Sequence, residues 1–223
     1  MIRNFLKRLS KAYYFSQINT SDQFVQMYFK NRNSLQEHYT TDLNEQYQIY
    51  TRTISTPNMA ASLELCSFLL ALCQENKFEK LLDMGSGFTS FVLRQYQHNS
   101  DKNIEVYSVD DDEEWLQKTK NYLTEKRLPT TNVLSLKKIY DSNVKEFDLI
   151  VHDLNFVEER IKHVEKVVEL IKPNGTIIFD DVHKMDYCLE LLKKLKKYPG
   201  TIYNLEPITR DQFNRFSLAF VKR

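Results

Sequence analysis

Two of the four glycines in the 223-residue chain lie two positions apart, between a predicted strand and a predicted helix. Gly85, Ser86 and Gly87 follow the apolar segment that ends at Asp83-Met84, and an amphipathic segment begins at Phe88. Glycine is favoured where the backbone turns sharply or a ligand approaches the main chain, because it carries no Cβ atom. The pattern predicts a nucleotide-binding turn, although a tight turn without a ligand has the same spacing.

The residues around this turn distinguish between possible nucleotides. The dinucleotide-binding motif has a third glycine three residues after the second, and it places a pyrophosphate at the helix N-terminus. Ser90 occupies that third position here. Asp83 would bring a negative charge towards the ligand, which disfavours a pyrophosphate and favours the ammonium and sulfonium groups of S-adenosylmethionine. We therefore expect a binding site for S-adenosylmethionine at the turn residues Asp83, Gly85, Ser86 and Gly87.

An acidic run follows the second predicted strand. Asp110 lies where an acidic residue at a strand end accepts hydrogen bonds from ribose hydroxyl groups. Asp111 and Asp112 are alternatives for that role, and a solvated acidic run without a ligand would have the same sequence. Trp115, one helical turn later, either covers the adenine or packs in the core. We expect the cofactor site to include Asp110, Asp111 and Trp115.

Strand-like and helix-like segments alternate along residues 56–223, which is typical of a mainly parallel sheet with helices on both faces. The predicted strands are Lys80–Met84, Ile104–Asp110, Val133–Tyr140, Phe147–His152 and Thr176–Asp180. The predicted helices cover residues 57–74, 88–98, 113–126, 157–171 and 185–197.

The last two predicted strands, Ile202–Leu205 and Phe216–Val221, are separated by only about ten residues. A parallel crossover needs a dozen or more residues, so this pair should form an antiparallel hairpin. An antiparallel strand at the end of an α/β sheet is typical of class I methyltransferases and unusual in nicotinamide-binding domains. We predict a Rossmann-like methyltransferase fold with a seven-stranded, mostly parallel sheet and a C-terminal antiparallel strand.

The N-terminal part of the chain has a different character. Residues 1–55 show helical periodicity and no convincing strand, which predicts a helical cap on the domain formed by residues 56–223. Residues 1–20 contain four basic residues and no acidic residue, with apolar residues at helical spacing. Such a helix either lies on a membrane surface or packs on the domain, and we favour packing.

Composition limits the possible partners. The formal net charge of +1 does not indicate a nucleic-acid partner, and the apolar runs are too short to span a membrane. Cys66, Cys73 and Cys188 are too few for a disulfide framework and lie in apolar helical segments. We expect a cytoplasmic protein with a small-molecule substrate. The aromatic residues of the cap would suit either a substrate pocket or a homodimer interface.

Roughly from residue 56 to residue 223 the chain resembles the class I S-adenosylmethionine-dependent methyltransferases. The segments that carry the resemblance are Leu81–Leu93, Val109–Leu116, Phe147–Asp153 and Leu170–Asp181. Within that superfamily, Phe147–Asp153 and Gly175–Asp181 are similar to the small-molecule O-methyltransferases related to catechol and macrocin O-methyltransferases. The resemblance implies transfer of a methyl group from S-adenosylmethionine to a hydroxyl oxygen.

The resemblance also implies a divalent metal ion. In those families an aspartate ending the fourth strand and an acidic pair ending the fifth hold the ion, and Asp153, Asp180 and Asp181 fall on these positions. Strand ends meet at one sheet edge, and carboxylate oxygens suit Mg²⁺, so the expectation is physically consistent. Asp153 would also contact the cofactor. The alternative is that Asp180 or Asp181 caps the following helix and that no metal binds.

Two departures from the family pattern leave the general base open. Phe156 stands where catechol-type enzymes carry a lysine, and Asn155 stands where macrocin-type enzymes carry an acid. His152 and His183 flank the acidic residues, and His152 would point away from Asp153 on a regular strand. We therefore assign the catalytic roles to His183 and Asp153, although a lone loop histidine is often structural.

Two other functions are compatible with the same fold. The enzyme could methylate nitrogen or a macromolecule without a metal, but the segment Asp153–Phe156 lacks the Asn/Asp-Pro-Pro-Tyr type of motif found in enzymes that methylate base amino groups. The chain could also be a non-catalytic cofactor-binding protein. The intact acidic cluster argues against that interpretation.

Overall fold

The computed structural model describes residues 12–30 and 41–223. Within these ranges, one mixed β-sheet is covered by helices on both faces. The strands are β1 (Lys80–Met84), β2 (Glu105–Asp110), β3 (Val133–Ser135), β4 (Phe147–His152), β5 (Ile171–Phe179), β6 (Gly200–Asn204) and β7 (Leu218–Lys222). The helices are α1 (Ser21–Tyr28), α2 (Thr41–Thr53), α3 (Leu63–Asn76), α4 (Phe88–His98), α5 (Glu113–Glu125), α6 (Leu136–Asp141), α7 (Val157–Leu170), α8 (Met185–Leu195) and α9 (Glu206–Thr209).

The strand order in the described sheet is β3-β2-β1-β4-β5-β7-β6. Neighbouring strands from β3 to β5 pair in parallel, whereas β7 is antiparallel to both β5 and β6. The chain order reverses between β1 and β4, and α/β proteins bind their ligands at such a switch point, beyond the carboxyl ends of the strands. The predicted fold and the predicted C-terminal hairpin are both confirmed.

The third strand is shorter than predicted. It ends at Ser135, and Leu136–Asp141 forms helix α6 instead of continuing the strand. Ser135 occupies the N-cap position of this helix, and Leu136 and Ile139 are buried three positions apart. The short alternation before Ser135 is compatible with a strand, but the later apolar spacing is helical.

Helix α3 begins later than predicted. Its N-cap is Ser62, whose hydroxyl accepts a hydrogen bond from the amide of Leu65 at 3.1 Å. The preceding residues form a turn region that Arg215 holds against the hairpin connection. The guanidinium group of Arg215 donates to the carbonyls of Pro57 and Ala60, both at 2.9 Å. Pro57 therefore lies in this turn and not in the first turn of helix α3.

The described part of the N-terminal region packs on the domain. The hydroxyl of Tyr28 in α1 accepts a hydrogen bond from Thr176 of β5 at 2.8 Å, and Phe24 is fully buried beside Phe68 of α3. Asn19 pairs with the edge strand β6 through Ile202 at 2.9 Å. Residues 1–11, and with them most of the predicted basic helix, lie outside the described residues.

Two buried apolar clusters lie on opposite faces of the sheet. One includes the packing surfaces of α2, α3 and α4, and the other includes those of α7 and α8. All three cysteines are buried, as predicted. No helix in the described ranges has the length and apolar character needed to cross a membrane.

Candidate active site

The glycine turn lies between β1 and α4, beside the end of β4. Gly85 has a φ of +105°, and a Cβ atom at this position would overlap the carbonyl group of Asp153. The amide of Gly85 donates to the carbonyl of Val109 at 2.9 Å, and the amide of Asp153 donates to that of Met84 at 2.7 Å. The ends of β1, β2 and β4 are therefore in direct main-chain contact, which requires glycine at position 85.

Asp83 lies beneath this turn and is fully buried. Its carboxylate accepts hydrogen bonds from the hydroxyls of Thr89, at 2.8 Å, and Ser90, and the Ser90 hydroxyl accepts from the amide of Gly87 at 3.1 Å. Burial raises the pKa of Asp83 to about 7, against the opposing effect of these hydroxyls and of Arg94. Asp83 therefore shapes the turn from inside the protein. Its predicted effect on a bound cofactor would act through the turn.

Asp110 connects the end of β2 to the turn. Its Oδ2 atom accepts hydrogen bonds from the amide of Ser86 at 2.8 Å and from the Ser86 hydroxyl at 3.1 Å, and Oδ1 accepts from the amide of Asp112. Burial raises the pKa of Asp110 to about 6 despite these hydrogen bonds. Asp111 is exposed and accepts a hydrogen bond from Asn155 at 2.8 Å. Asp110 is thus at the turn, whereas Asp111 faces the loop after β4.

Two aromatic side chains lie close to Gly87. The indole nitrogen of Trp115 donates to the carbonyl of Ser86. A Cβ atom at Gly87 would lie 3.2 Å from the hydroxyl of Tyr50 and 3.8 Å from the Trp115 indole nitrogen. Tyr50 comes from α2 and packs on Phe88 with ring centroids 5.2 Å apart. Tyr50 is not among the predicted site residues, because its helical spacing indicates only burial.

The three predicted metal ligands lie at the ends of β4 and β5, where two of them contact a buried arginine. Arg160 Nη2 lies 2.6 Å from Oδ1 of Asp153, and Nη1 lies 3.2 Å from Oδ2 of Asp181. Asp180 turns its Oδ1 atom to the hydroxyl of Ser217, at 2.8 Å, and its carbonyl oxygen to Nη1 of Arg160, at 3.5 Å. The carboxylates of Asp153 and Asp181 therefore already have a cationic partner.

Burial and charge act in opposite directions in this cluster. Burial raises the pKa of Asp153 and of Asp180, against the effect of Arg160. Burial would also raise the pKa of Asp181, but Arg160 and Lys184 lower it below its ordinary value. In turn, the carboxylates raise the pKa of Arg160 against the effect of its own burial. The guanidinium group is consequently a permanent positive charge inside the cluster.

The helix-cap alternative for the acidic pair is wrong. The N-cap residue of α8 is Lys184, with neither Asp180 nor Asp181 in that position. Asp181 adopts a left-handed backbone conformation with φ of +60°, and its Oδ2 atom lies 3.1 Å from Nζ of Lys184. Its carboxylate therefore faces Arg160 and Lys184 instead of the first amides of the helix.

Arg160 is the main site residue that the sequence-based interpretation missed. It follows Val157 by three positions and precedes Val164 by four, so it lies on the apolar face of α7. A charged residue on a buried helical face requires buried partners, because an isolated buried charge is strongly unfavourable. The position of Arg160 on the apolar face of α7 therefore indicated a buried charge. Its partners at the ends of β4 and β5 could not be identified from the sequence, because the tertiary structure determines them.

The two candidate bases have different surroundings. His183 is half-buried, with Nδ1 at 3.5 Å from Oδ1 of Asp181, and burial lowers its pKa. His152 is fully buried against Phe179, and neither ring nitrogen has a hydrogen-bond partner among the described residues. Burial lowers the pKa of His152 to about 3. Only His183 is both accessible and close to the acidic cluster. Phe156, at the position of the family lysine, is largely exposed.

Comparison with known proteins identifies the family of the chain. The family described as "Methyltransferase domain" matches residues 75–214, which is more than half of the chain. No curated protein sequence matches the chain.

Solved structures with similar folds include an O-methyltransferase from Bacillus cereus in complex with S-adenosylhomocysteine. It is 16% identical, the match covers 90% of this chain and 96% of that one, and the TM-score is 0.59. Another is the O-methyltransferase TomG from Streptomyces achromogenes, involved in tomaymycin synthesis and bound to S-adenosylmethionine, with 14% identity, coverage of 90% and 95%, and a TM-score of 0.58. A third is an S-adenosylmethionine-dependent O-methyltransferase from Thermotoga maritima, with 14% identity, coverage of 81% and 71%, and a TM-score of 0.59. The family match and the strand order together show that the chain belongs to the class I S-adenosylmethionine-dependent methyltransferases.

Proposed function

We propose that this methyltransferase transfers the methyl group of S-adenosylmethionine to a hydroxyl oxygen of a small molecule. The main supporting observation is the main-chain contact between Gly85 and Asp153, which brings the glycine turn and the acidic cluster to one edge of the sheet. The methyl donor and the acceptor must be in contact for transfer to occur, so the residues that bind the donor should lie next to those that bind the acceptor. The three structural neighbours described above are named O-methyltransferases, which favours an oxygen acceptor.

The residues at the turn fit a nucleoside. The Tyr50 hydroxyl and the Trp115 indole lie close to Gly87, and the carboxylate of Asp110 lies next to Ser86. A carboxylate in this position can accept hydrogen bonds from ribose hydroxyls, and an aromatic ring can cover a base. Asp110 would therefore hold the ribose, with Trp115 beside the adenine.

Helix α2 of the N-terminal region would form one wall of the acceptor pocket. Tyr47 and Tyr50 of α2 both pack on Phe88, the first residue of the helix that follows the glycine turn, with ring centroids 5.2 Å away. Burial raises the pKa of Tyr47 to about 12, so its hydroxyl stays protonated at neutral pH. A wall of aromatic rings and neutral hydroxyls suits a small acceptor with an aromatic or apolar body.

Proton removal from the acceptor is assigned to His183. When bound, S-adenosylmethionine supplies a methyl group whose bond to sulfur breaks, with both electrons kept by sulfur, as the bond to the acceptor oxygen forms. The acceptor hydroxyl must lose its proton in this exchange. Because its pKa is lowered, His183 is neutral at physiological pH, and a neutral imidazole can take that proton. Asp153 would orient the acceptor at the end of β4.

Turnover with defined acceptors tests the proposal. The protein would be incubated with S-adenosylmethionine and separate panels of hydroxylated aromatic compounds, amines and RNA, and the methylated product identified by mass spectrometry. We expect methylation of a hydroxyl oxygen. We expect His183→Ala to lower kcat/KM by ~10²- to 10⁴-fold, the usual size of a general-base contribution. The exposed His98 provides a control, since His98→Ala should leave turnover unchanged.

Each alternative function has its own outcome in this assay. A methyl group found on nitrogen or on RNA would replace the oxygen acceptor with the second function considered above. Cofactor binding without turnover on any panel would favour a non-catalytic protein. We also propose a reducing cytoplasm as the compartment, because all three cysteines are free and buried.

A further inference from the structure

The guanidinium group of Arg160 lies at the carboxylates to which the family resemblance assigns a metal ion. It is 2.6 Å from Asp153 and 3.2 Å from Asp181, and the three side chains are 6%, 15% and 13% exposed. These are close ion pairs shielded from solvent. A divalent ion that bound the same oxygen atoms would first have to displace the guanidinium group of Arg160.

Arg160 is also fixed by main-chain acceptors. Nε donates to the carbonyls of Leu154 and Asn155 at 3.0 and 3.1 Å, and Nη2 donates to the carbonyl of Asn155 at 2.9 Å while it forms an ion pair with Asp153. Nη1 is shared between Asp181 and the carbonyl of Asp180. Each of the three guanidinium nitrogens therefore has at least one partner of its own. The group is thus held in one position, and the loop after β4 forms part of its binding site.

The carboxylate oxygens do not fit a metal ion in this arrangement. Asp181 contacts Lys184 as well as Arg160, and Asp180 Oδ1 is bonded to Ser217. Among the residues that the structure describes, no three or more histidine, cysteine or acidic side chains are placed to hold an ion together. Mg²⁺ requires near-octahedral oxygen ligands, and a fixed guanidinium group among them prevents that geometry.

We propose that Arg160 takes the place of the divalent cation in this chain, so that methyl transfer proceeds without a metal. The inference rests on the proposed function. Arg160 acts as a positioning residue: it neutralises Asp153 and Asp181 and fixes the end of β4. Each of its nitrogens already has a partner, so it does not bind the acceptor oxygen as a metal would. The acceptor proton must therefore leave to a side chain, which agrees with the role given to His183.

Binding of Mn²⁺, followed by electron paramagnetic resonance, tests this proposal without requiring turnover. The wild-type protein, Arg160→Gln and Lys184→Gln would be titrated with Mn²⁺, with and without S-adenosylhomocysteine. Lys184→Gln is the matched control, because it removes the other cation at Asp181 and leaves Arg160 in place. We expect no saturable binding by the wild type or the control over the concentration range used, and saturable binding by Arg160→Gln within it, which corresponds to an apparent affinity at least ~10-fold higher.

Two results would overturn the proposal. One is saturable Mn²⁺ binding by the wild type that is lost in Asp153→Asn, and the other is a folded Arg160→Gln protein that gains no Mn²⁺ binding. If Arg160→Gln does not fold, the titration of the wild type decides alone. Absence of saturable Mn²⁺ binding by the wild type supports the proposal, and binding that depends on Asp153 refutes it. Calorimetry with S-adenosylhomocysteine on the same samples reports separately on the proposed function.

Discussion

Replacing Arg160 with glutamine should strongly destabilise the protein. Asp153 and Asp181 are 15% and 13% exposed; Asp153 would lose its ion-pair partner, and Asp181 would lose one of its two close cations and keep Lys184. Removing one partner of a buried ion pair typically costs ~3–5 kcal/mol, because the remaining charge stays buried without compensation. For a chain of this size each kcal/mol shifts the melting temperature by ~2–4 °C, so we expect a decrease of about 6–20 °C.

Thermal and urea unfolding of two variants in the same helix would measure this effect. Lys162→Gln is the control, since Lys162 pairs with Glu159 at 2.6 Å but both side chains are largely exposed, and its loss should change the free energy of unfolding by less than ~0.5 kcal/mol. Adding Asp153→Asn to Arg160→Gln should recover part of the loss, because the uncompensated charge is removed. Equal stabilities of Arg160→Gln and Lys162→Gln would refute the electrostatic role of Arg160.

Three further predictions concern the turn, the cofactor and pH. Gly85→Ala should cost at least ~2 kcal/mol in urea unfolding, because φ is +105° and the new Cβ would overlap the main chain of Asp153. It should cost more than Gly87→Ala, whose nearest new contact is the Tyr50 hydroxyl at 3.2 Å, and equal costs would contradict this. Asp110→Asn should weaken S-adenosylhomocysteine binding by ~1–3 kcal/mol in calorimetry, whereas the exposed-loop variant Asp101→Asn should not; unchanged affinity would transfer the role to a neighbour. Asp148 accepts hydrogen bonds from the amides of Glu79 and Lys80 and forms an ion pair with Lys172. Burial would raise the pKa of Asp148, but Lys172 and these amides lower it below its ordinary value. The stability that Asp148 contributes is therefore complete above about pH 4 and is lost as the pH falls further. Asp148→Asn should therefore destabilise the protein by ~1–3 kcal/mol at pH 7 and much less at pH 3, and a difference independent of pH would contradict that sign.

The sheet was largely predictable because its signals are local. The bounds of β1 and β4 agree with the prediction, since both are short apolar runs with clear breaks on either side. The hairpin of β6 and β7 followed from the length of its connection. The errors occurred where two local signals competed. Pro57 indicated a helix start, but the N-cap at Ser62 determines where α3 begins, and Ser135 similarly ends β3 by starting α6.

The candidate site was predictable in position but not in its contacts. Strand ends at one edge of a parallel sheet must meet, so the proximity of Asp153 to the acidic pair followed from sequence order. The partner of these carboxylates did not, because Arg160 reaches them from the first turn of α7 through its tertiary packing. Tyr50 was missed for a similar reason, since only the folded chain brings α2 beside Gly87.

Calorimetric titration of the wild-type protein with S-adenosylhomocysteine and, separately, with NAD tests the central claim most directly. We predict micromolar binding of S-adenosylhomocysteine and no binding of NAD. At a free ligand concentration of about 100 times the dissociation constant, the free energy of unfolding should rise by about 2.7 kcal/mol. Binding of NAD without binding of S-adenosylhomocysteine would contradict the assignment of the glycine turn, of Asp83 and of Asp110.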